Sequence, residues 1–234
     1  MRTILDILRF PLNKMGLAHI GLFTLLVFVM MFVEIVLGKL MGRFIGYLHL
    51  VLMFINMLVA IEIIQYVYLC TQQSAQGELF APDKMFSDAF QIGSWGELFE
   101  ELYFRISPFV VCFGPPILYL VLTDHPDTIF VVLLAAGVFY FPILFLAVAM
   151  FNSSTSFNPL IHFVSIVKTF FSYCLLVGQF CILVVLFALF VWLLQKYWLM
   201  SMVLFPLQLY YMMVIAHLFG RYYCLNEQKL KWEV

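Results

Sequence analysis

The sequence predicts an all-α, polytopic integral membrane protein, and two observations carry that prediction. Hydrophobic residues make up 65% of the 234-residue chain and charged residues 11%, where soluble domains run at about 45–50% and about 25%. The apolar residues also gather into six runs, at 17–37, 44–69, 107–122, 128–151, 172–194 and 199–219. A helix of about 20 residues crosses a bilayer, so 1–234 reads as a single membrane domain of six spans. The net charge of −1 gives nucleic acid no electrostatic foothold.

Residues 1–13 put Arg2, Asp6, Arg9 and Asn13 on one helical face and Ile4, Leu5, Leu8 and Leu12 on the other. That pattern reads as a short amphipathic helix on the membrane surface, stopped near Pro11, or else as a frayed terminus. The apolar run 20–37 exceeds a signal-peptide core and no small-x-small site follows it, so it is expected to be a retained first span. Gly38 and Gly42 bend the turn into the second span, with Lys39 and Arg43 at the interface.

Residues 71–105 hold six of the 13 acidic side chains and read as a water-exposed cytoplasmic segment. Its end carries a capping box, Ser94 with Glu97. A surface helix then sets Trp95, Leu98, Phe99, Leu102, Tyr103 and Ile106 opposite Glu97, Glu100, Glu101 and Arg105. Span three is short and contains Gly114-Pro115-Pro116; TDHPD turns the chain into span four. After the polar patch NSSTSFNP, Asn158 and Pro159 supply an N-cap and a first helical residue. His162, Ser165, Thr169 and Ser172 then form a polar stripe against Leu160, Phe163, Val164, Val167, Phe170 and Phe171, a third expected surface helix. The layout is three units, starting near residues 1, 94 and 158, each an inner-surface helix followed by a two-span hairpin.

Six spans with the N-terminus inside place Arg2, Arg9, Lys14, Lys84, Arg105, Lys168, Arg221, Lys229 and Lys231 on the inner side. Lys39, Arg43 and Lys196 fall outside, completing the 12 basic residues. A re-entrant third span would level that bias, so the positive-inside rule favours six spans and two cytoplasmic termini.

Polar residues inside spans are functional candidates because lipid makes them costly. Glu34, His49 and His217 lie near span ends and are expected to snorkel to water. Asn56, Glu62, Gln65 and Gln179 form the candidate intramembrane site. Glu62 is either a protonated pin bonded to a neighbouring helix or a titrating group on an aqueous cavity. Gly114, Pro115, Pro116, Pro142 and Pro206 are candidate helix breaks, which transporters use to expose backbone groups, with Tyr119 and Tyr140 available to line a site; prolines re-satisfied by their neighbours are the commoner case. Glu97, Glu100, Glu101 and Arg105 form the candidate docking face. The cytoplasmic leaflet is itself negative, so an acidic helix there suits a basic protein partner better than lipid. A solvated helix face with a Glu101–Arg105 pair is the commoner explanation of such an acidic pattern.

Cys70, Cys112, Cys174, Cys181 and Cys224 show no CxxC or zinc spacing and read as small packing residues. No GxSxG, HExxH or Walker loop is present. No metal, cofactor or enzymatic activity is therefore expected. The tail HLFGRYYCLNEQKLKWEV, with Arg221, Tyr222, Tyr223 and Trp232 as interface anchors, follows a span pair opened by the Asn158-Pro159 helix. In these features the last third of the chain resembles uncharacterised bacterial multi-span inner-membrane families. The resemblance implies the bacterial inner membrane and no mechanism. The functional expectation is a non-enzymatic scaffold or accessory subunit that contacts the lipid bilayer and either a protein partner or further copies of itself. The alternative is a small transporter or lipid-handling permease.

Overall fold

The computed structural model describes residues 4–40, 45–82, 95–151, 153–194, 201–230 and 232, and these contain helices and turns but no strand. In order they are α1 (Ile4–Arg9), α2 (Lys14–Leu40), α3 (Ile45–Ala75), α4 (Trp95–Thr123), α5 (Thr128–Phe151), α6 (Pro159–Lys168), α7 (Phe170–Leu194) and α8 (Ser201–Leu230). Short 3-10 turns cover Phe10–Leu12 and Ser154–Phe157. Six of the helices, α2, α3, α4, α5, α7 and α8, are long and apolar enough to cross a membrane. The protein is an all-α, multi-pass membrane protein.

Two boundaries differ from expectation. The second span does not release the chain to water at residue 71: α3 runs on to Ala75, and Thr71, Ser74 and Ala75 are buried. The surface helix and span three expected as separate elements form one continuous helix, α4. Pro108 removes the amide that would bond the Phe104 carbonyl. The Ser107 hydroxyl donates to that carbonyl instead, at 2.6 Å, so the helix passes through. The Ser94 capping residue and the side chains of Glu97 and Glu101 lie outside the described residues.

The candidate helix breaks at Gly114, Pro115, Pro116, Pro142 and Pro206 follow the commoner of the two readings, because each proline sits inside an unbroken helix. Pro116 frees the Cys112 carbonyl, and that oxygen faces Gly137 of α5. A Cβ on Gly137 would lie 2.1 Å from it. Only glycine allows this approach, and its Cα–H is a weak donor to the freed oxygen. Beside Pro142, the Tyr173 hydroxyl donates to the Phe139 carbonyl. At Phe104 a neighbouring hydroxyl re-satisfies the carbonyl that a proline frees, as lipid requires.

The start of the chain, the ends of α3, α5 and α8, the start of α4 and all of α6 meet at one end of the bundle, here called the termini end. Ties across it include Gln72 Nε2 to the Ala149 carbonyl (2.8 Å), Tyr68 hydroxyl to the Arg105 carbonyl (2.8 Å) and the Phe104–Phe157 ring pair. The half of α5 nearest this end is buried all round, from Phe141 to Ala149. Tyr68 of α3, Phe109 and Phe113 of α4, Phe180 of α7 and Phe219 of α8 close on Phe141 and Phe145. A helix surrounded on every side loses its amphipathic period, so this hub has no hydropathy signature.

Toward the opposite end the helices present apolar side chains outward, among them Phe32, Leu50, Val132 and Trp192, a surface suited to lipid. Glu34 and His49 meet there at 3.2 Å, both well exposed. Asp127 caps α5, accepting from the amides of Ile129 and Phe130, and takes the Tyr119 hydroxyl at 2.6 Å. That hydroxyl, helped by the two amides, holds the Asp127 carboxyl below its ordinary range.

Candidate functional site: buried polar clusters at the termini end

The polar stripe of α6 does not face water. His162, Ser165 and Thr169 are 1–3% exposed, whereas Leu160 and Phe163 on the other face are 71% and 68% exposed. The helix is held by its polar side. Asn158 accepts from the Leu160 amide as N-cap, and each inward residue has a partner from another element. His162 Nδ1 meets the Tyr140 hydroxyl of α5. Ser165 Oγ accepts from Trp232 Nε1 at 2.9 Å, and Thr169 Oγ1 pairs with the Tyr222 hydroxyl of α8 at 2.6 Å.

The tail residues expected to be interface anchors therefore act partly as inward clamps. Tyr222 and Tyr223 are 6% exposed, and the Trp232 ring packs at a tilt against those of Phe151 and Tyr223. The stripe contains hydroxyls and an imidazole but no Lys, Arg, Asp or Glu. Such groups can be buried at low cost once hydrogen-bonded, and this was the signal in the sequence that pointed inward.

A second cluster centres on His217, which was expected to snorkel and is instead 1% exposed. Its Nδ1 lies 2.7 Å from Ser74 Oγ of α3, and its ring stacks on Phe10 with centroids 4.1 Å apart. Arg221, one turn on, and Asp6 of α1 flank it. Gly220 permits this contact, since a Cβ there would lie 2.2 Å from the Thr71 carbonyl.

The N-terminal segment is correspondingly docked. Phe10 and Pro11 are buried, Tyr210 donates to the Leu8 carbonyl at 2.8 Å, and Asn13 reaches the Ala81 carbonyl while capping the Gly16 amide. His217 Nε2 has no hydrogen-bond partner among the described residues.

The sequence-predicted site residues do not converge. Asn56 is exposed on α3, Glu62 and Gln65 are half-buried one turn apart on the same helix, and Gln179 is half-buried on α7, whose main neighbour is α8. A cavity of about 10 Å³ between α2, α3 and α8 is bounded by other residues, His19, Ile20, Phe23, Ile63, Tyr66, Val67, Leu209 and Met213, with room for about one water. On the expected docking face, Glu100 is exposed and Arg105 half-buried, with its guanidinium over the Tyr68 ring at 5.7 Å. Among the described residues no three His, Cys, Asp or Glu side chains gather as metal ligands.

The His162 cluster makes a pH prediction. Burial holds this imidazole below its ordinary value of 6.5, partly opposed by the Ser156 backbone. A histidine whose folded pKa is depressed contributes stability that is complete above 6.5 and is lost as pH falls below it. Thermal midpoints in mild detergent should therefore fall between neutral and mildly acidic pH, and His162→Gln should show a shallower fall. Parallel pH curves for the two proteins would exclude His162 as the group responsible.

No protein-family model, curated protein or solved structure matches the chain.

Proposed function

We propose that the protein is a non-enzymatic scaffold or accessory subunit of the bacterial inner membrane, with both termini cytoplasmic, that docks a partner at its termini end. The observation carrying this reading is where the polar bonding lies. Histidine, serine, threonine and tyrosine side chains brace the termini end into one platform. A braced platform suits a docking surface, whereas ligand sites are commonly concave pockets with convergent polar groups.

The acidic first turns of α4 stand on that platform, with Glu100 and Tyr103 exposed. Because α4 is continuous with a span, a partner bound there is coupled rigidly to the bundle. Changing Glu97, Glu100 and Glu101 together to lysine sets like charge against a basic partner, at a cost of several kcal/mol. The variant is expected to lose proteins that co-purify with the wild type in mild detergent. An unchanged set of co-purifying proteins, with the variant still folded, would overturn the docking reading.

A further inference from the structure

We infer that the apolar face of α6 is seated among the acyl chains of the leaflet on the termini side, making α6 a lipid-held helix whose polar face belongs to the protein. An ordinary amphipathic surface helix turns its polar face to water and its apolar face to lipid. In α6 the polar face is already committed, through His162 to Tyr140, Ser165 to Trp232 and Thr169 to Tyr222. The other face carries Leu160, Phe163, Val164 and Val167, each between 45% and 71% exposed.

Two observations select lipid as the occupant. The face runs directly into the apolar surface of the following span, through Phe170, 51% exposed, and Phe171, 88% exposed. The exposed apolar side of α7 is lipid-facing by its place on a membrane-spanning helix, so the α6 face continues an interface that the bilayer already covers. No acidic side chain interrupts α6, and Lys168 stands exposed in its last turn, where its amine can reach the headgroups while its stem stays in the apolar layer.

The consequence is a protein held to one leaflet by a helix with no water-facing side. The test is nitroxide labelling at Phe163→Cys and, separately, Val167→Cys. Cys174, Cys181 and Cys224 are replaced by serine, and the buried Cys70 and Cys112 are left in place. The protein is reconstituted in vesicles of phosphatidylethanolamine with phosphatidylglycerol, with Glu100→Cys as the aqueous reference. Labels at 163 and 167 are expected to relax strongly with dissolved oxygen and to lose the relaxation by an aqueous nickel chelate that the label at 100 shows. Strong nickel relaxation at 163 and 167 would place the face in water and overturn the proposal. Protection from both reagents would mean that protein covers it and would overturn the proposal equally. Neither reading depends on whether a cytoplasmic partner binds α4.

Discussion

Alanine at Gly220 or at Gly137 is expected to destabilise the bundle by about 1–3 kcal/mol, the usual range for forcing extra volume into a packed core. The added methyl would lie 2.2 Å from the Thr71 carbonyl at Gly220, and 2.1 Å from the Cys112 carbonyl at Gly137. Both obstacles are backbone atoms of a neighbouring helix, which cannot swing aside as a side chain does. The helices must separate, and in lipid no hydrophobic force draws them together again, since tails are as apolar as the side chains. At Gly220 the separation also strains the Ser74–His217 bond and the Phe10 stack. Gly178 is the control, because a Cβ there meets nothing within 4 Å. Gly178→Ala should be neutral or, through helix propensity, stabilising by up to about 1 kcal/mol. Thermal unfolding and size-exclusion profiles in mild detergent read all three. Equal behaviour of Gly178→Ala and Gly220→Ala would contradict the close packing of α3 on α8.

Phe141→Ala should cost about 2 kcal/mol by a different route. Phe141 is 4% exposed and its ring lies 5.1 to 6.2 Å, centroid to centroid, from those of Phe109, Phe113, Phe145, Phe180 and Phe219. In a soluble core, Phe→Ala costs about 3–5 kcal/mol, made up of a transfer part and a cavity part. The transfer part largely vanishes in a bilayer. The cavity part remains, at about 24 cal/mol per Å³ over roughly 100 Å³ of lost side chain, or about 2.4 kcal/mol. Because the five partners come from four helices, the loss should appear as loosening of the whole termini end rather than of one hairpin. Phe171→Ala removes an equal side chain that is 88% exposed and should shift stability by less than about 0.5 kcal/mol. A Phe141→Ala protein as stable as Phe171→Ala would show that the aromatic hub does not hold the helices together.

What was legible in the sequence followed from the solvent. Lipid leaves helices as the available spanning structure for runs such as 128–151 and 172–194, so the all-α class and the six spans could be read from apolar length alone. The Asn158-Pro159 start of α6 was also legible, because capping is local chemistry between residues two apart.

Direction was not legible. The stripe of His162, Ser165 and Thr169 has the same period whether it meets water or Tyr140, Trp232 and Tyr222, and only contacts 22 to 67 residues away along the chain decide between them. The prolines left two readings open for a related reason. A missing amide is a local fact, but its repair at Phe104 needed the neighbouring Ser107 hydroxyl, and the close approach at Cys112 needed a glycine on another helix. His217 shows the same limit: its place near a span end predicted access to water, and docking of Phe10 from the far end of the chain removed that access. Apolar length determined that this protein crosses a membrane. The packing of distant segments decided which polar groups it keeps inside.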